Sequence, residues 1–324
     1  MPMTTCRTLI KISIVSALGI LLLLAFFVVL VRQPLAAVKA SPFAGRASAA
    51  RIESDLLTIV EDCFPRDAGN PENLARAATH IAGRFAEAGL RVAYQDYTAG
   101  GTPYRNVVAS AGPEAGDILV VGAHYDAYME KPGADDNASG VAVLLEIARL
   151  LGDEPLTRPV VLVAFCTEEP PYFASEQMGS FVHARRLAES GEPVSGMICL
   201  EMLGYYTEVQ PWPVWLLDVA YPDRGDFIAV VGRWSDRQLA RELRSWIDGT
   251  GGIDAVSYNG PDPGGLSLSD HRNYWAEGFT AVMVTDTAFI RNPNYHTDRD
   301  TPDTLDYEKM AAIAEGVAGY LQAR

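Results

Sequence analysis

Cysteine is scarce in this chain: Cys6, Cys63, Cys166 and Cys199 are the four in 324 residues, with no CxxC pair and no zinc-finger spacing. A disulfide framework and a thiolate metal cluster are thereby set aside. Cys166 and Cys199 sit inside apolar, strand-like runs and read as buried thiols. Internal repeats and low-complexity tracts are also missing, which excludes a repeat array. Positive charge is in short supply, with 26 Lys and Arg against 41 Asp and Glu and a formal net charge of -15. That balance argues against nucleic acid as a partner and suits an enzyme with an acidic metal pocket.

What is present begins with an uncharged stretch of 20 residues, Ile12 to Val31, preceded by Arg7 and Lys11 and followed by Arg32. It is long enough to cross a bilayer as a helix. A cleaved signal peptide has a shorter apolar region, although Val38-Lys39-Ala40 resembles a small-residue cleavage site. We therefore expect residues 1–11 to be a short tail, 12–31 an uncleaved single-pass transmembrane anchor, 32–46 a linker rich in Ala, Pro and Ser, and 47–324 one catalytic domain. Positive charges flank the span on both sides, so they fix its orientation poorly, and an extracytoplasmic (periplasmic or extracellular) domain is the expectation.

With 48% apolar residues, the rest of the chain can bury a core of globular size. Helical spacing covers Arg51 to Val60 and Pro71 to Ala88, and Arg91 to Asp96 with Asn106 to Ala109 reads as a strand pair. Short apolar runs then follow at Ile118 to Ala123, Val160 to Phe165, Met197 to Leu200 and Ala281 to Thr285. Such runs are typical of strands buried on both faces of a parallel sheet. Helices are expected between them, from Ser139 to Leu151 and from Glu176 to Glu189, with Thr304 to Ala323 closing the chain. The pattern predicts an α/β three-layer sandwich around a mixed, mostly parallel sheet.

Ligands bind such sheets beyond the carboxyl ends of the strands. Metal-binding side chains fall there: His124 in VVGAHYD, Glu169 in FCTEEP, Glu201 in CLEMLGYY, with Asp136 in PGADDNASG and His296 in NPNYHTDRDT on loops. Asp126, two residues beyond His124, can face the same side and orient its ring. The adjacent pairs Asp135-Asp136 and Glu168-Glu169 pose an electrostatic problem that a cation resolves, leaving Glu168 free for proton transfer. Each signal is weak alone, and their joint occurrence in order at strand ends points to metal-assisted hydrolysis.

With these motifs, and with SDH and YHTDRDTPDTLD, the chain from about Arg51 resembles the co-catalytic di-zinc aminopeptidases, bacterial leucyl aminopeptidases among them. That superfamily also contains glutaminyl cyclases, glutamate carboxypeptidase and the metal-free transferrin receptor ectodomain. The resemblance implies two Zn2+ (other divalent ions being accepted by such ligands), one held by His124 and Glu201, the other by Glu169 and His296, with Asp136 bridging. It further implies Glu168 as general base, a cis peptide after Asp136, and Asp270 and His271 beside the site. The implied substrate is a peptide with a free N-terminus. Alternatives within the resemblance are a single-zinc glutaminyl cyclase and a non-catalytic ectodomain.

Two departures bear on specificity. PPYFASEQMGS after Glu169 is longer than in simpler members, so we expect Tyr172, Phe173 and Glu176 on the pocket rim, with Glu176 a partner for the substrate ammonium. A tyrosine that simpler members place three residues before the Ser of SDH is Leu266 here, which leaves Tyr258 or Ser267 as replacement donors.

Overall fold

The computed structural model describes residues 3–32, 37–152, 154–262 and 264–323, and side chains from residue 12 onward. Eight strands form one sheet: β1 (Arg91–Ala99), β2 (Thr102–Ala111), β3 (Ile118–His124), β4 (Val160–Phe165), β5 (Val194–Leu200), β6 (Phe227–Gly232), β7 (Asp254–Asn259) and β8 (Ala281–Thr285). Their spatial order is β1-β2-β4-β3-β5-β8-β6-β7. The inner four, β4, β3, β5 and β8, are parallel. Antiparallel pairing with β2 on one side and β6 on the other makes the sheet mixed. From β3 the chain passes first to β4 on one side and then to β5 on the other, so the sheet's switch point lies at the carboxyl ends of these strands.

The helices are α1 (Met3–Arg32), α2 (Ala49–Leu57), α3 (Pro71–Glu87), α4 (Gly140–Leu151), α5 (Gly179–Ser190), α6 (Trp215–Ala220), α7 (Arg237–Asp248), α8 (His271–Ala276) and α9 (Tyr307–Gln322). Alternation along β3 sends Leu119, Val121 and Ala123 into one core with α2, α3, α4, α7 and α9. Ile118 and Val120 turn to the other face, with Phe165, Ala184 of α5 and Tyr274 of α8. Helices therefore cover both faces, which is why the inner strands are nearly continuous apolar runs. The fold class is the three-layer α/β sandwich expected. Cys63, Cys166 and Cys199 are buried free thiols.

Three expectations need correction. The charged helix α7 and strands β6 and β7 escaped the sequence reading, although α7 spaces Leu239, Leu243 and Ile247 on one face and β6 is an apolar run; β7, half polar, takes its register from pairing with β6 at one end of the sheet. Helix α5 starts at Gly179 rather than Glu176. Residues before it are held in a turn, with Met178 N–H donating to Ser175 O, Gly179 N–H to Cys166 O and Thr167 Oγ1 to Gln177 O. The supposed linker 32–46, where described, packs on the domain: Phe43 is fully buried in the core and Ser41 Oγ donates to Glu315 O of α9 at 2.7 Å. Residues 33–36 lie outside the described part.

The Ile12–Arg32 stretch of α1 is long and apolar enough to cross a membrane, with a mean hydropathy of 3.1 and little of it buried against the protein.

Phe43→Ala should lower folding stability by roughly 3–5 kcal/mol in denaturant unfolding, the usual cost of emptying a buried Phe site. A loss within a few tenths of a kcal/mol would return residues 37–46 to the status of a tether.

Candidate functional site

Three parallel strand ends, those of β3, β4 and β5, and two loops converge on a buried acidic cluster. His124 closes β3, and its Nε2 lies 3.4 Å from Asp136 Oδ1 and 3.4 Å from Glu201 Oε2 at the end of β5. His296, on the loop after β8, places Nε2 3.1 Å from Asp136 Oδ2 and 3.3 Å from Glu169 Oε1. Asp136 thus turns one oxygen to each of two triads, His124–Asp136–Glu201 and Asp136–Glu169–His296, within each of which the ligand atoms lie within 4.8 Å of one another. Glu168 belongs to neither, and its Oε2 stands 3.9 Å from His124 Nε2. Glu169 Oε1 and His296 Nε2 are buried without a well-formed hydrogen bond. Imidazole nitrogens, carboxylate oxygens and such unpaired atoms fit a divalent ion in either triad.

The surrounding residues hold these groups through their backbones. Asp126 accepts Glu168 N–H at 3.1 Å and Glu169 N–H at 3.0 Å, one on each carboxylate oxygen. Its backbone carbonyl, 3.1 Å from His124 Nδ1, is closer to the ring than its carboxylate at 3.5 Å. The carboxylate that the sequence spacing placed beside the ring lies within 3.5 Å of it, and it also positions both glutamates. Asp300 does the same for the acidic turn, accepting Asp135 N–H at 2.8 Å and Asp136 N–H at 3.1 Å. Behind it the fully buried guanidinium of Arg66 donates to the carbonyls of Tyr125, Pro132 and Gly133. Asn137 Nδ2 donates to Leu200 O at 2.8 Å, and Ser269 Oγ donates to Glu201 Oε2 at 2.5 Å. The Asp136-Asn137 peptide is cis, where the resemblance placed one.

Left-handed backbone at non-glycine residues gathers here. Thr167 (φ 60) precedes Glu168, Met202 (φ 50) follows Glu201, and His296 itself has φ 59. The His296 ring is stacked on Tyr128 and Tyr295, with centroids 3.9 and 3.7 Å away. Of these supports, Ser269 was within reach of the sequence as part of SDH, and Asp300 within the acidic loop. Tyr295 was likewise within the YHTDRDTPDTLD motif, whereas Arg66 and Tyr128 carried no sequence signal, because their roles come from the packing of distant segments.

The other expected residues scatter. Asp270 is buried near the cluster with no hydrogen-bond partner on either oxygen, and burial followed by the opposing pull of His124 leaves its carboxyl at about 7. His271 turns away: its Nε2 is 2.6 Å from Leu266 O, its ring is edge-on to Trp275, and burial pushes it down to about 4. Tyr172 packs on the main core edge-on to Tyr104 and donates to Ala99 O at 3.1 Å, which draws it to the β1–β2 hairpin rather than to a rim. Phe173 lies under the Arg272 guanidinium, 5.2 Å from ring to cation, and Glu176 is exposed. Tyr258 donates to Pro261 O at 2.6 Å and Ser267 Oγ to Asp262 Oδ2 at 3.2 Å, so both replacement donors are engaged elsewhere. Tyr258 and Leu266 instead line an apolar cavity with Trp212, Met283 and Phe289.

Burial, together with neighbouring carboxylates, raises the proton affinity of Glu168, Glu169 and Glu201. Asp136 is the exception: burial opposes it, but the imidazoles of His124 and His296 close against its two oxygens hold it below the ordinary range. Between the ordinary Glu value of 4.5 and about 8 for Glu169, the folded metal-free chain keeps protons that the unfolded chain has released. His296, moved to about 9 by Asp136 and Glu169 against the effect of burial, adds in the same direction. Stability of chelator-treated protein should therefore fall as pH rises from about 4.5 to about 8, and added zinc should raise the unfolding midpoint most at the upper end. Thermal unfolding across that range checks it; a flat or rising profile without metal would contradict the buried carboxylate cluster.

A family model for "Peptidase family M28" matches residues 106–321, which contain the whole cluster. The uncharacterized protein YfbL of Escherichia coli (strain K12) is 44% identical over 284 residues, covering 84% of this chain and 87% of that protein. Leucine aminopeptidase 1 of Arthroderma otae is 26% identical over 228 residues, 67% of this chain but 57% of its own length, so the chain spans little more than half of that relative. Among solved structures, LapA aminopeptidase of Legionella pneumophila superposes with a TM-score of 0.71 at 21% identity, over 89% of this chain and 76% of that one. A Fimbriiglobus ruber glutaminyl cyclase gives 0.69 at 21% identity, over 89% of this chain and 98% of that one. At these identities the structural likenesses speak for the fold, and it is the family match, seated on the buried acidic cluster, that decides kinship: this chain belongs to peptidase family M28.

Proposed function

We propose that this chain is a zinc-dependent aminopeptidase that hydrolyses the N-terminal peptide bond of peptides, with two Zn2+ and Glu168 as general base. The observation that carries the reading is the division of labour in the cluster: Asp136 is shared between two complete triads, while Glu168 adjoins His124 and belongs to neither. Ions held by His124, Asp136 and Glu201 and by Asp136, Glu169 and His296 would acidify a water and polarise the scissile carbonyl.

The chain's own residues account for the rest. Glu168 has its proton affinity raised by burial and by Glu169, Asp270 and Glu201 against the pull of His124, which suits a base that takes a proton from water and passes it to the leaving amine. Asp126 fixes Glu168 and Glu169 relative to each other through their N–H groups, so base and ligand keep register. The acidic surroundings favour a substrate carrying a free ammonium group. The apolar cavity bounded by Leu266, Met283 and Phe289 suits an aliphatic or aromatic first residue. Leu266 brings no hydroxyl, so we expect no tyrosine-type donor to the carbonyl from that position. α1 acts as a membrane anchor, with the domain outside the cytoplasm.

Glu168→Gln should reduce turnover on aminoacyl amides by roughly two to four orders of magnitude, the usual range for a general base, while zinc content stays near that of the wild type. Joint loss of metal and activity would make Glu168 a ligand and overturn the assignment. N-blocked substrates and an N-terminal glutaminyl peptide complete the assay: cyclisation of the latter with release of ammonia, at one zinc per chain, would favour the cyclase reading suggested by the shared fold and by Glu201.

A further inference from the structure

Exposed apolar side chains gather on the outside of α6 and just before it. Leu217 and Ala220 turn inward to Tyr221, Phe227, Ala229 and Val256. Trp215 and Val219 turn outward, 68% and 74% exposed, with Val214 beside them. A tryptophan this open, flanked by two open valines, marks an interaction surface on an otherwise soluble domain.

Its position supplies the partner. The C-terminal end of α1 docks on the same small core: Val28 packs against it, and the Arg32 guanidinium sits 5.4 Å from the centroid of the Tyr221 ring. The Arg32 carbonyl accepts Ser257 Oγ of β7 at 2.7 Å and Arg244 Nη1 at 3.3 Å. The end of the apolar stretch is thereby bonded to the catalytic domain. Where α1 crosses a bilayer, Arg32 marks the membrane–water boundary, and the neighbouring α6 lies at that depth.

We propose that α6 is a membrane-interface foot, its Trp215, Val219 and Val214 seated at the boundary between headgroups and acyl chains of the bilayer that α1 spans. The proposal rests on the anchor reading of α1. Tryptophan suits this layer, where an apolar ring and an N–H donor are accommodated together. Attraction to anionic lipid is not the driving force, because Asp218 lies on the exposed side of α6 and the chain carries a net charge of -15. The predicted partner is therefore the apolar margin of a neutral bilayer. Two attachment points, a spanning helix and an interfacial foot, would fix the tilt of the domain as well as its distance from the membrane.

The test uses the full chain in phosphatidylcholine vesicles, with and without phosphatidylcholine brominated high on its acyl chains. Trp215→Phe should lose more than half of the bromine quenching shown by the wild type, while hydrolysis of a soluble aminoacyl amide stays the same. Val214→Glu with Val219→Glu should weaken the quenching of Trp215 without releasing the protein from carbonate-washed membranes. Equal quenching in wild type and Trp215→Phe, with the chain inserted, would overturn the foot while leaving the anchor intact. Release by carbonate would overturn the anchor and the foot with it. A self-crosslink through α6 in place of quenching would assign the patch to a second copy of the chain and also overturn the proposal.

Discussion

Mutual repulsion among buried carboxylates is the constraint on which the rest of this structure turns. Asp136, Glu168, Glu169, Glu201 and Asp270 crowd one pocket, all of them buried. The two histidines among them cannot balance five acids, and ionised carboxylates packed this closely in a poorly solvated site repel strongly. The chain answers in two ways. Some carboxyls take up protons more readily than in water, as Glu169 and Asp270 do. Others are arranged so that oxygen and nitrogen lone pairs point at shared positions, where a cation is the natural complement. Such a site suits a charge that the polypeptide does not itself provide, as the proposed metal ions would.

Holding it open requires rigidity elsewhere. Asp126 and Asp300 are also acids, yet each is used as a template, its two oxygens spanning two consecutive N–H groups, those of Glu168 and Glu169 and those of Asp135 and Asp136. Arg66 is the cation at the back of this arrangement, fully buried and bonded to three carbonyls around the acidic turn. Burial lowers its proton affinity, and the charges of Asp300, Asp136 and Asp126 act against that loss. Left-handed backbone at Thr167 and Met202 then bends the chain at the moment it leaves β4 and β5, which aims Glu168, Glu169 and Glu201 inward instead of along the strand axes.

The sequence disclosed the parts of this design that depend on local pattern. β3, β4, β5 and β8 are readable because both faces of each are buried, and the five residues of the two triads are readable because they follow those strands or sit in acidic loops. β6 and α7 do carry local pattern, an apolar run over Phe227–Gly232 and helical spacing of Leu239, Ala240, Leu243 and Ile247, that the sequence reading passed over, whereas β7 is placed by its pairing with β6. The same distinction separates Glu168 from Tyr172. Glu168 is fixed by its place next to a strand end, whereas the path after it depends on hydrogen bonds to Ala99, Cys166 and Thr167 that are remote in sequence. Phe43 shows the opposite failing: a stretch rich in Ala, Pro and Ser looks like a tether, and one aromatic side chain with a buried serine is enough to bind it to α9 and the core.

The sheet also separates chemistry from placement. The cluster is assembled on the four parallel strands, whose carboxyl ends all point the same way and deliver side chains to one crevice. α1 and α6 gather instead on β6 and β7, joined to the parallel set by the single antiparallel pairing of β6 with β8. The residues that pack α1 and α6 against the sheet are therefore different from those that hold the cluster. Between the two regions lies the apolar cavity, with Leu266 on the segment leading to Ser269 and Asp270 and with Trp212 and Tyr258 on the side of α6 and β7. The walls of that cavity are drawn from both halves of the sheet, so a substrate side chain seated there, as proposed above, would touch both.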